Sequence, residues 1–173
     1  YYKKDYPEWS DRGDGPGAPV AVHLPNSPVI ATGKRDGSKI RLPNGNYLEE
    51  TASYYVMIET KTGGYTPALI TMKSTQLNVS KKWNSMMKTI QIPDGKGGFA
   101  IPPMHGVVYN LSSTLQKNDK GSWYGWVVTQ DRIMGQNDKA LYLDAKSFAG
   151  NVSKGSVQTK ADVEETSSDS TPY

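Results

Sequence analysis

A mainly β fold is predicted: a five-stranded barrel with one helix between its third and fourth strands, followed by a short C-terminal helix. Three observations predict it. Residues 74–90 are the only stretch with the apolar spacing of a long amphipathic helix; hairpin signals flank it on both sides; and glycine, proline and asparagine break up the remaining chain at short intervals. A helix with one apolar stripe, set between hairpins, needs a sheet to bury it. The functional surface is then expected on the sheet face that the helix leaves open.

Residues 1–19 read as an irregular arm, because Asp14, Gly15, Pro16, Gly17 and Pro19 oppose regular structure. The arm carries Tyr1, Tyr2, Tyr6 and Trp9 among Lys3, Lys4 and Arg12, rings that either pack on the body or face a ligand. Residues 20–24 and 28–32 are candidate strands fenced by prolines. The first clear hairpin lies in residues 34–50, where KIRL meets YLEE across Asn44-Gly45, two residues that tolerate positive φ. Its outgoing strand is expected to continue through residues 53–59, to turn at Gly63-Gly64 and to return over residues 67–72, with Ala68, Ile70 and Met72 on one face.

In the helix, Val79, Trp83, Met86, Met87 and Ile90 fall on one stripe, and Ser74 or Thr75 is placed to cap its start. Residues 93–98 form a glycine-rich excursion. A last hairpin pairs residues 106–114 with 122–131 across QKNDKG. Large rings alternate on both faces of its second strand, Trp123 with Tyr124 and then Trp126, whereas a strand with one wet face normally shows a polar alternate. Residues 138–148 form the short C-terminal helix. Beyond Gly150 the chain turns to Ser, Thr and acids and carries too little apolar surface to offset the entropy of ordering. The division expected is an arm at 1–19, a binding domain at 20–150 and a flexible acidic tail at 151–173.

Composition bounds the function. With 173 residues the chain holds one domain with extensions. There is no cysteine, so disulfides, thiol nucleophiles and cysteine-ligated zinc are excluded. No apolar run approaches the roughly 18 residues of a membrane span. The formal charge of +3 conceals an asymmetry. Asp162, Glu164, Glu165 and Asp169 fall in residues 161–173 without a base, which leaves 20 basic against 13 acidic side chains elsewhere. A basic body with an acidic appendage points to a polyanionic ligand.

The order of elements, three strands, one helix and two strands, is that of the oligonucleotide/oligosaccharide-binding (OB) barrel. Gripping a single strand without sequence preference takes cations along the phosphates and rings under the bases. The candidate cations are Lys34, Arg35, Lys39 and Arg41, with Lys117 and Lys120 in the last hairpin loop. The candidate rings are Tyr47 and Tyr55 near the first group, and Tyr109, Trp123, Tyr124 and Trp126 near the second. Burial competes with stacking for each ring, and alternation directs one of Trp123 and Tyr124 inward.

Three runs, YYKKDYPEWSDRGDG at 1–15, RLPNGNYLEETASYYVMIE at 41–59 and ITMKSTQLNVSKKWNSMM at 70–87, resemble a family of small phage-encoded proteins associated with single-stranded DNA binding. Some such proteins join an OB-like barrel to an acidic tail with a terminal aromatic residue, as this chain has in Tyr173. The resemblance implies a protein that coats single-stranded DNA in phage replication or recombination, in the cytoplasm of the infected host cell. Its acidic tail would recruit phage replication proteins or compete with DNA for the cationic groove.

No enzyme, cofactor or metal site is expected. His23 and His105 read as surface or turn residues, and neither GDGPG at 13–17 nor GKGG at 95–98 has the lysine and hydroxyl of a phosphate-binding loop. The competing reading is a phage structural or assembly protein whose exposed aromatic strands make subunit contacts. Monomer and homodimer both fit the sequence.

Overall fold

The computed structural model describes residues 1–11, 18–119 and 121–157. In chain order the elements are β1 (Tyr2–Trp9), β2 (Ala21–His23), α1 (Pro28–Thr32), β3 (Lys34–Asp36), β4 (Lys39–Arg41), β5 (Tyr47–Glu49), β6 (Thr51–Glu59), β7 (Tyr65–Lys73), α2 (Leu77–Thr89), β8 (Ile92–Pro93), β9 (Phe99–Ala100), β10 (Val107–Asn118), β11 (Gly121–Ile133) and α3 (Lys139–Ser153). Over the described residues the protein is mainly β, with antiparallel sheets and three helices.

The spine is a long strand interrupted only at Glu50. β5 and β6 both pair with β1 in one unbroken register, from Trp9 opposite Tyr47 to Tyr2 opposite Tyr54. β4 pairs with β5 and β7 with β6, giving the order β3-β4-β5-β1-β6-β7, with β2 also on β1. The Asn44-Gly45 turn forms as its residue types dictate. Gly45 takes φ 89°, and the Asn44 side chain accepts a bond from the Asn46 N–H at 3.0 Å.

Two small cores lie along this sheet. In the first, Ala52, Tyr54, Ile70 and Met72 from β6 and β7 meet Trp83 and Met87 of α2, as the apolar stripe of the helix requires. Trp83 stacks on Tyr54 with ring centroids 4.1 Å apart, and Tyr109 of β10 meets Trp83 edge-on at 5.5 Å. The Tyr54 hydroxyl shares a 2.7 Å hydrogen bond with that of Ser80, which satisfies both buried groups. In the second core Tyr6, Ile40, Leu42 and Leu48 pack with Val29 and Ile30 of α1.

Several expectations are corrected. No closed five-stranded barrel is found among the described residues. β10 and β11 form their own two-stranded sheet and share no ladder with the larger one. Tyr109 and Val128 pack against the Tyr54–Trp83 cluster, so the hairpin is fixed through side chains rather than backbone. A single 3-10 turn, Ser74–Gln76, precedes α2, and neither Ser74 nor Thr75 caps the helix. Instead the side-chain oxygen of Gln76 accepts the Trp126 N–H at 3.1 Å and ties the hairpin to the start of the helix.

The expected arm contains the central strand β1, because the glycine- and proline-rich run that opposes regular structure begins only after Trp9. Residues 28–32 are helical rather than extended, since Pro28 sits in the first turn, where its fixed φ and missing N–H cost nothing. The last hairpin runs through most of its expected loop, and α3 extends to Ser153. The acidic run 161–173 lies outside the described residues.

Candidate nucleic-acid interface

One face of the short-strand end carries both cations and rings. Lys34 lies opposite Arg41, Arg41 opposite Tyr47, and Tyr47 opposite Trp9, a row crossing four strands. Cross-strand partners share a face, and the adjacent positions Ile40 and Leu48 belong to the second core, so the row points away from that core. Lys39 places its Nζ 3.6 Å from the Tyr47 ring centroid, and the Arg41 guanidinium carbon is 5.6 Å from the same ring. Lys73, at the end of β7, reaches within 5.8 Å of the Trp9 ring. Each contact is a cation over a π face.

Carboxylates neutralise part of this charge. Arg41 bonds Asp11 and Asp36, which together hold its pKa above the usual arginine value, and Lys73 bonds Glu49 at 3.1 Å. Lys34 and Lys39 have no ion pair among the described residues. They are the cations most available to an incoming phosphate. Arg35 is exposed but lies opposite Ile40, on the other face.

The remaining expected residues separate. On the ring face of the last hairpin, Tyr124 is 72% and Trp126 37% exposed, with Leu115 opposite Tyr124 at 60%. Lys117 is exposed, two residues beyond Leu115 on the same strand. Trp123 points to the other face and is half-buried. Tyr109 is taken by the core, where burial pushes its hydroxyl pKa up to about 12. Tyr55 packs edge-on against Tyr1, whose α-amino group bonds the Tyr55 carbonyl at 2.8 Å. Lys120 lies outside the described residues. The expected group therefore divides into a basic aromatic face on β3–β5 and an apolar aromatic face on the hairpin.

Neither Trp9 nor Lys73 was among the candidate binding residues. No period-2 signal marks Trp9: Tyr2, Lys4, Tyr6 and Glu8 alternate with Lys3, Asp5, Pro7 and Trp9, and both sets mix charged and aromatic residues, so only the pairing of β1 places it. Behind the row, Glu8 is buried and ties β2 and the 44–46 turn to β1. His23 meets one carboxylate oxygen at 2.7 Å, and the side-chain amides of Asn46 and Asn44 donate to the other at 2.6 and 3.1 Å. The Asn46 bond, helped by His23 and Asn44 and opposed by burial, holds the Glu8 carboxyl below its ordinary pKa. His23 is thus a partner of a buried acid rather than a free surface residue. Among the described residues no cluster of three or more His, Cys, Asp or Glu has the geometry to hold a metal ion.

These features define a mainly β protein with a ring-bearing basic sheet face and a tethered aromatic hairpin. The chain belongs to the Pam3 phage gp34-like protein family, whose model matches residues 1–158, and it is therefore a phage protein. No curated protein and no solved structure matches it. No described helix is long and apolar enough to cross a membrane.

Proposed function

We propose that the chain binds single-stranded DNA without sequence preference and coats it during phage DNA replication or recombination. The observation that carries this reading is the row Lys34, Arg41, Tyr47 and Trp9, with Lys39 and Lys73 held over its rings. A base arriving on Tyr47 displaces the Lys39 ammonium from the ring, and the ammonium then meets the neighbouring phosphate. One contact is exchanged for two, stacking and ion pairing. Tyr124 and Trp126 offer a second stacking platform beside Lys117.

The reading is tested by titrating intrinsic tryptophan fluorescence with oligo-dT at increasing salt. Quenching that weakens steeply with salt is expected. Salt-independent quenching would point to carbohydrate-like ring contacts, and an absence of response would sink the proposal. The four carboxylates of residues 161–173 compete for the same cations at about millimolar effective concentration. Bound DNA would free that run to recruit phage replication proteins, and deleting it should tighten binding, most at low salt.

A second reading, a phage assembly protein, rests on the hairpin. Leu111, Leu115, Tyr124 and Trp126 expose an apolar strip on one of its faces. If that strip is a subunit contact, Trp126→Glu abolishes self-association seen by sedimentation.

A further inference from the structure

A cleft of about 540 Å³ opens between β6, β10 and α3, away from the row on β3–β5, and its size falls within the range of small-ligand sites. Tyr55, Met57 and Ile58 supply one wall and Phe148 of α3 lines it too, while Trp83 and Tyr109 of the first core also border it. The polar atoms around it are unusual. Trp83 Nε1, Tyr109 Oη and His105 Nε2 are buried and have no hydrogen-bond partner among the described residues, and all three residues line this cleft. Native proteins pair nearly all such groups, so three around one cavity call for a ligand that supplies the missing partners. The indole N–H can only donate, the phenol donates readily, and desolvation together with nearby Lys146 lowers the His105 pKa. The complementary guest is flat, apolar on its faces and rich in acceptors along its edge.

We infer that this cleft takes a single unstacked nucleobase, with a carbonyl-bearing pyrimidine as the best match. The inference rests on the single-strand-binding reading and deepens it. The row on β3–β5 holds the strand loosely, and the cleft captures one base from it. A free nucleotide and a base within a strand present the same chemistry, so the test carries both.

The full chain is titrated calorimetrically with thymidine monophosphate and with oligo-dT, alongside Tyr109→Phe and Met57→Trp. Tyr109→Phe removes only an unpartnered hydroxyl, so it should keep the melting temperature while weakening binding about 3- to 10-fold, the value of one hydrogen bond. Met57→Trp fills the cleft and should abolish the same binding. If thymidine monophosphate binds and responds to both variants, the cleft accepts free nucleotides. If only oligo-dT binds and responds, its guest is a base in a strand. Oligo-dT binding that ignores both variants overturns the cleft while leaving the strand-binding face standing. If neither ligand binds, both fail.

Discussion

Lys39 rests its ammonium 3.6 Å from the centre of the Tyr47 ring, one strand away, and so covers the flat surface that a base would need. In the proposed strand binding the pair acts as a latch: the ring is preorganised, and the cation stays beside the place where a phosphate would arrive. Tyr47→Ala should therefore lower oligo-dT affinity by about 1–3 kcal/mol, roughly 5- to 150-fold, whereas Tyr47→Phe should retain it. Fluorescence anisotropy of a labelled oligonucleotide reads the difference. Equal losses in both variants would show that the phenol, not the ring face, matters.

Salt dependence separates the cations. Lys34 and Lys39 lack ion pairs among the described residues, whereas Arg41 is held by Asp11 and Asp36. Replacing Lys34 or Lys39 with Ala should each reduce the slope of log affinity against log salt by about 0.7. Arg35→Ala, on the opposite face, should leave the slope unchanged. A slope insensitive to Lys34 and Lys39 would place the phosphates elsewhere.

The first core should be the more sensitive to truncation. Trp83 is buried, stacked on Tyr54 and touched edge-on by Tyr109, so Trp83→Ala removes contacts from three elements at once. A loss of about 3–5 kcal/mol in urea unfolding is expected. Lys88→Ala, on the exposed side of the same helix, should stay within about 0.5 kcal/mol. Comparable losses at both positions would mean that α2 is not packed by its apolar stripe.

Acid should loosen the sheet through Glu8. Its carboxyl is held below the ordinary value of 4.5 by Asn46, with His23 and Asn44 adding to the effect. A depressed folded-state pKa gives stability that is complete above the unfolded value and lost as pH falls through the folded one. Melting temperature should thus decline below about pH 4.5, and Glu8→Gln should flatten that decline while lowering stability at neutral pH. A wild-type acid limb identical to that of Glu8→Gln would assign the pH dependence to other carboxylates.

Periodicity by itself determined the local elements whose partners lie close in sequence. The α2 stripe, the Asn44-Gly45 hairpin and the alternation of β6 and β7 were all legible, because a helix period of 3.6 and a strand period of 2 are written in neighbouring residues. Lys39 and Tyr47 were legible as a cation and a ring within one hairpin. Tertiary structure decided which rings remain available. Tyr109 looks no different from Tyr47 in sequence, yet a long-range contact with Trp83 takes it into the core. Trp9 enters the face only because β1, far away in the chain, pairs with β5 and β6. Long-range pairing also left the sheet open. Only the Tyr109 and Val128 end of the hairpin's apolar face packs against the α2 core, so the hairpin is joined to the larger sheet through side chains and without a backbone ladder.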